Sequence, residues 1–287
     1  NVLDLARRVG VGRVRADTVA PVVTSLVAAP PDRGPRRPGA DLILITVDAL
    51  RADHLGAYGY ARPTSPRIDR LAQTSTVFER AYAAVPHTSF SIASMLMGKY
   101  AYSLGQLGLL EGNETLADLL RHYRYKTAAF YPPAVFYVDG EQFKSYEQNH
   151  YGFEYARYEP FVEDLDARAR TDQVIEFFGK ENPARAFVWV HYFGPHEPYV
   201  THPEVAPSFG TSAIDLYDDE IRWVDHEVGR LLDFLGKERP NAVIVLTADH
   251  GEEFGEHGGA YHGSTLFDEQ ERVPLIVHVP DGPGRRR

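Results

Sequence analysis

Five short apolar runs recur along this chain, each separated from the next by segments with helical periodicity or turn residues. They are LILITV (Leu42–Val47), KTAAF (Lys126–Phe130), AFVWVH (Ala186–His191), AVIVLT (Ala242–Thr247) and PLIVHV (Pro274–Val279). Such runs are too short for a buried helix and lack the alternation of a half-exposed strand, so they read as strands covered on both faces. Helical patterns lie between them, at Ser65–Gln73, Phe90–Met97, Glu114–Tyr123, Asp166–Gly179 and Tyr217–Leu235. In the last, Ile221, Val224, Val228, Leu231, Leu232 and Leu235 share one face at helical spacing. Strands alternating with helices predict an α/β fold: a mainly parallel central sheet with helices on both faces. In open sheets of that kind ligands bind beyond the carboxyl ends of the strands. Asp48, His191 to His196, and Asp249–His250 each follow a strand and therefore fall on one rim.

The 287 residues suffice for one large domain, or a domain with a small satellite, because single cores stop growing near about 250–300 residues. A 44% hydrophobic content describes a cored globular protein. A net charge of -10, with no long Lys/Arg block, argues against nucleic acid as a partner. The absence of cysteine excludes disulfides, thiolate-held zinc and a thiol nucleophile. No run of about 18 apolar residues is present, and no signal peptide is recognisable. Because the chain begins at Asn1 without Met, it is expected to be a processed or truncated product. Residues 1–40 read as an N-terminal segment, with a short amphipathic helix at Leu3, Ala6 and Val9, followed by a Pro/Gly/Arg-rich linker from Ala28. The catalytic domain is expected over 41–287. Its abrupt end after the last strand leads to the expectation that a C-terminal part is lacking.

Four segments carry candidate chemistry. Asp48 stands directly after the first strand, where an acid serves as a turn or cap residue more often than as a ligand. From Leu246 to Gly263, Asp249, His250, Glu252, Glu253, Glu256, His257 and His262 crowd among five glycines. That density of oxygen and imidazole donors cannot form a core, and suits a divalent cation. Gly251 permits the sharp turn needed for Asp249 and His250 to share one ion. Thr88 opens the helix of SFSIASMLM, where a hydroxyl acts either as a plain cap or as a nucleophile activated by metal contact. Of the two histidines in WVHYFGPHEPY, His196 lies in a Pro-flanked loop and His191 within the strand, which makes His196 the better site candidate.

These segments, in this order, resemble the sulfatase branch of the alkaline phosphatase superfamily, over about Asp41 to Val279. The resemblance rests on VDALRADHLGAYGY, TSFSIASMLMGKY, TLADLLRHYRYKTAAF, HYFGPHEPY, YDDEIRWVDHEVGRLLDFL and the TADHGEEFGEHG segment running on to YHGSTLFDEQERVPLI. It implies an alkaline-phosphatase-like fold with Asp48, Asp249, His250 and Thr88 as metal ligands. It also implies that His196 contacts the substrate's anionic oxygens, and that His262 stands where sulfatases usually place a substrate-binding Lys. The departures redirect the chemistry. True sulfatases carry Cys or Ser where Thr88 stands, and convert it to formylglycine; threonine cannot be converted, so no formylglycine is expected. Phe90 and Ile92 replace the signature's Pro and Arg, Ala49 replaces a second acid, and FYPPAVFYVDG stands in place of a GK-x-H segment.

A threonine with an Asp–His pair looks instead like lipoteichoic acid synthases and phosphoethanolamine transferases, which act on phosphodiesters. The expected reaction is metal-dependent hydrolysis or transfer of phosphate esters through a phospho-threonine at Thr88, with His262 also catalytic. The alternatives are a sulfate ester hydrolase using Thr88 directly, and a silent domain that binds an anionic ligand or partner. The cofactor implied is one divalent ion, Zn, Mn or Ca. The partner implied is an anionic ester, lipid- or glycan-linked, and the setting an extracytoplasmic, membrane-associated one with any tether outside this chain.

Overall fold

The computed structural model describes residues 37, 39–136, 140–158, 166–205, 208–282 and 284–287. The helix expected at Leu3–Val9 and most of the Ala28–Ala40 linker lie outside them. In chain order the elements are β1 (Leu42–Val47), α1 (Pro66–Gln73), β2 (Thr76–Tyr82), α2 (Thr88–Met97), α3 (Ala101–Gln106), α4 (Leu116–His122) and β3 (Lys126–Phe130). There follow α5 (Lys144–Gln148), β4 (Tyr155–Arg157), α6 (Ala167–Glu181), β5 (Ala186–Tyr192), α7 (Ala213–Glu238), β6 (Val243–Ala248), α8 (Asp268–Glu271), β7 (Arg272–His278) and β8 (Arg285–Arg286).

The strands form one eight-stranded sheet in the order β4-β3-β5-β1-β6-β7-β2-β8. The block β4-β3-β5-β1-β6 is parallel throughout. β7 then runs antiparallel to β6 and to β2. The last apolar run therefore reverses direction, which its composition did not reveal: paired on both edges, with β6 and β2, it reads as apolar whichever way it points. β2 carries no apolar run, because TVFERAY places Glu79 and Arg80 in the open and only Val77 in the core.

Alternate residues of the central strands feed two cores. Ile43, Ile45 and Val47 of β1 pack with Phe177 of α6 and with Val224 and Leu231 of α7. On the opposite face Phe187 and Trp189 of β5 meet Phe90, Ile92 and Leu96 of α2. Burial of each such side chain contributes roughly 1.5–3 kcal/mol relative to exposure. Helix α7 starts at a capping box of Ser212 and Asp215 and buries the stripe that carries Ile221, Val228 and Leu235.

Register positions the site. β1 and β6 pair with Thr46 opposite Thr247 and Val47 opposite Ala248, so Asp48 and Asp249 leave the sheet side by side. β5 pairs with β1 so that His191 lies opposite Thr46, two residues before Asp48 and hence on the same face.

Candidate active site

Asp48, Asp249, His250 and His191 are all fully buried at the carboxyl end of the sheet. Asp249 Oδ1 accepts the backbone N–H of Ala49 at 3.3 Å and of His250 at 2.9 Å. Ala49 adopts a left-handed conformation, φ 54°, a strain of about 1–3 kcal/mol for a residue with a Cβ. A Cβ at Gly251 would overlap the carbonyl oxygen of Glu269, so this turn requires glycine. His250 Nδ1 lies 2.9 Å from the Gly251 carbonyl, which can only accept, so Nδ1 carries the proton and Nε2 presents its lone pair. That Nε2 is 3.4 Å from Asp48 Oδ1, 3.5 Å from Asp249 Oδ2 and 3.0 Å from Thr88 Oγ1.

Two oxygens in this corner, Asp48 Oδ1 and Asp249 Oδ2, are buried without a hydrogen-bond partner among the described residues. An uncompensated buried carboxylate costs several kcal/mol, so orphaned oxygens facing one lone pair fit a divalent cation. Ligand atoms of Asp48, His191 and Asp249 lie within 4.8 Å of one another, as one ion requires. The electrostatics agree. Burial alone would raise the Asp48 carboxyl, but the hydrogen bond from His191 and the charges of His196 and His250 hold it well below the usual carboxylate range. Burial, with the adjacent Asp48 charge, pushes the Asp249 carboxyl up. Burial, with the charge of His262, drives His250 down to about 3, leaving the neutral imidazole that a metal needs.

Thr88 is the first residue of α2 and is 9% exposed. The Ser91 hydroxyl donates to the Asp249 carbonyl at 2.6 Å and ties the first turn of α2 to the β6 loop. The positive end of α2 thus faces the corner and favours an anion there.

A second cluster lies on the rim. The ring of His262 stacks on His250 at 4.2 Å and meets His196 edge-on at 5.0 Å. His262 Nδ1 lies 3.0 Å from Oε1 of the buried Glu252, whose Oε2 accepts the Tyr199 hydroxyl at 2.9 Å. Burial lowers the His262 imidazole, but the Glu252 hydrogen bond and charge outweigh it and raise the net value. His196 stacks on Phe193 and directs Nδ1 to the Glu197 carbonyl at 2.8 Å. Ligand atoms of His196, Glu197 and His262 also fall within 4.8 Å of one another.

The structure thus brings Asp48, Thr88, Asp249 and His250 to one point, with His262 and His196 beside it. It also places His191 there, although its position within the strand makes it the weaker candidate of the two histidines by sequence. Its Nε2 is 3.3 Å from Asp48 Oδ2, while Nδ1 lies 2.8 Å from Thr46 Oγ1. The available signal was parity: once AFVWVH is aligned with LILITV, His191 shares a face with Asp48. The remaining polar groups of these loops brace the fold. Arg51 binds Asp53 at 2.8 Å and Glu256 at 2.5 Å, His54 binds Asp218 at 2.7 Å, and Glu253 accepts the N–H groups of His257 and Gly259.

The sulfatase family model matches residues 40–287. The chain is 23% identical over 290 residues to the ulvan-active sulfatase of Formosa agariphila, covering 84% of this chain and 56% of that protein. Identity to the phosphoethanolamine transferase EptA of Helicobacter pylori is also 23%, over 306 residues, covering 97% of this chain and 54% of that one. The chain therefore spans about half the length of these curated relatives. Among solved structures, the C-terminal periplasmic domain of EptC from Escherichia coli, in complex with Zn, superposes with a TM-score of 0.67 at 18% identity. That match covers 84% of this chain and 73% of that one, and shows a shared fold. No helix among the described residues is long and apolar enough to cross a membrane.

Proposed function

The chain belongs to the sulfatase family, and from that premise we propose that it is a metal-dependent hydrolase or transferase of phosphate esters with Thr88 as nucleophile. The observation that carries this reading is the 3.0 Å approach of Thr88 Oγ1 to His250 Nε2, beside the orphaned oxygens of Asp48 and Asp249. Asp48, Asp249, His250 and Thr88 would hold one divalent cation, with His191 adjoining. Bound there, the cation lowers the pKa of the threonine hydroxyl and offsets negative charge on the ester.

The chain's own groups do the rest. Thr88 Oγ1, its proton given up to solvent, attacks phosphorus. The bond from phosphorus to the leaving oxygen breaks, and that oxygen takes a proton from His262 Nε2. Water or an acceptor alcohol then attacks the phospho-threonine, passes its proton to His262, and frees Thr88. His196 and the N-terminus of α2 bind the non-bridging oxygens. Glu252 fixes His262 with Nδ1 inward and Nε2 toward the ester.

Relatives named for a zinc complex, for phosphoethanolamine transfer and for activity on ulvan support three further proposals. Zinc is the first candidate ion, the substrate is an anionic ester on a lipid or glycan, and the setting is extracytoplasmic. Residues 41–287 form the catalytic domain. The test is elemental analysis together with turnover of a nitrophenyl phosphodiester and a nitrophenyl sulfate. Bound metal with Thr88-dependent phosphodiester turnover is expected. Turnover of the sulfate alone would replace this reading with a sulfatase, and neither activity in a metal-free chain would replace it with a silent binding domain.

A further inference from the structure

Ala49 is the hinge of the metal corner, and the group that holds it comes from far along the chain. Its left-handed turn points its N–H at Asp249 Oδ1 and its carbonyl at the Tyr217 hydroxyl, 2.7 Å away. The same hydroxyl accepts the N–H of Arg51 at 2.9 Å, so one oxygen closes both ends of the loop that leaves Asp48. Tyr217 is fully buried in α7, and its ring packs against Phe254 at 4.9 Å and Tyr199 at 5.8 Å. Phe254 belongs to the loop after Asp249–His250, and Tyr199 to the loop of His196. One side chain therefore touches three of the four segments that build the site.

We propose that Tyr217 is a positioning residue. By pinning Ala49 in the left-handed turn, it keeps the Ala49 N–H on Asp249 and sets the spacing of the Asp48 and Asp249 carboxylates. This rests on the reading of that corner as a metal site. Groups that orient metal ligands from behind typically cost 10- to about 100-fold in metal affinity when removed. Tyr217→Phe keeps the ring and deletes only the oxygen.

The experiment measures Zn²⁺ affinity of the full chain by competition with a chromophoric chelator. Tyr217→Phe is expected to weaken binding by about 10- to 100-fold. Adding Ala49→Gly in that background is expected to recover most of the loss, because glycine takes the left-handed turn freely. A purely structural defect would gain nothing from that second change. Parental affinity in Tyr217→Phe, or a loss that Ala49→Gly leaves untouched, overturns the proposal. Should Tyr217→Phe not fold, Ala49→Gly in the parent still decides. Affinity within about twofold of the parent supports a role for the turn itself, and a loss of tenfold or more contradicts it. If the parent binds Zn²⁺ no more tightly than Asp48→Asn does, the corner itself is misread, and that outcome is distinct from either of these.

Discussion

The buried corner and the rim beside it use the same residue types to opposite ends. In the corner, Asp48, His191, Asp249 and His250 are sealed from solvent, and two carboxylate oxygens have no hydrogen-bond partner among the described residues. On the rim, His196 and His262 are partly exposed, and each already spends one ring nitrogen on a partner, the Glu197 carbonyl or the Glu252 carboxylate. The corner is built from strand ends whose spacing the sheet fixes; the rim is built from loops. On the proposed reading, the buried and rigid corner is the part that would hold the cation. The partly exposed and oriented rim is, on the same reading, the part that would meet the anion and move a proton.

If that division holds, changes in the corner must cost more than changes on the rim. Thr88→Ala should abolish phosphodiester turnover, by about 10⁴-fold or more, whereas Thr88→Ser retains a measurable fraction in the same steady-state assay. Asp249→Asn should remove the metal, seen by elemental analysis, and lower turnover by about 10³-fold or more. On the rim, His262→Gln should cost about 10²- to 10³-fold in kcat with the metal content unchanged. A His262 variant that loses its metal would break the comparison. His191→Gln sharpens it: as a neighbour of Asp48 inside the corner it should weaken metal affinity by 10- to about 100-fold, read by chelator competition.

The smallest expected effect lies outside both clusters and separates scaffold from site. Burial pushes Asp225 of α7 up to about 7, although it accepts the N–H groups of Arg67 and Ile68 at the start of α1. A carboxyl raised from an unfolded value of about 3.9 holds its proton longer when folded. Between pH 4 and 7 the folded state thus binds more protons, so stability falls as pH rises through that window and is flat above it. Urea midpoints should show this slope in the parent and lose it in Asp225→Asn.

Much of the architecture was legible because buried parallel strands write a plain apolar run. Four of the five strands in the parallel block, and Asp48 and Asp249 at their ends, follow from runs that all stop at one rim. The antiparallel sense of β7 did not follow, since an apolar strand paired on both edges carries no mark of direction. β2 hid behind Glu79 and Arg80, and the three-residue β4 is too short to register. Within the site, Thr88, His250, His196 and His262 could be nominated from local sequence and from family likeness. His191 needed the β1–β5 register, which no single segment contains. Tyr217 and the pairing of Glu252 with His262 depend on where α7 and the loop after β6 cross the sheet ends. Those are distances between residues far apart in the chain, and one sequence does not encode them in readable form.

The central claim is that the hydroxyl at the head of α2 becomes the covalent carrier of the transferred group. The most direct measurement quenches the His262→Gln chain during turnover of a nitrophenyl phosphodiester, digests it and maps the added mass by tandem mass spectrometry. A phosphoryl-ester adduct on Thr88, absent when Asp249 is also replaced by Asn, is the expected result. Product formed with the Thr88 peptide unmodified throughout the time course, or an adduct mapped to another residue, would contradict the account.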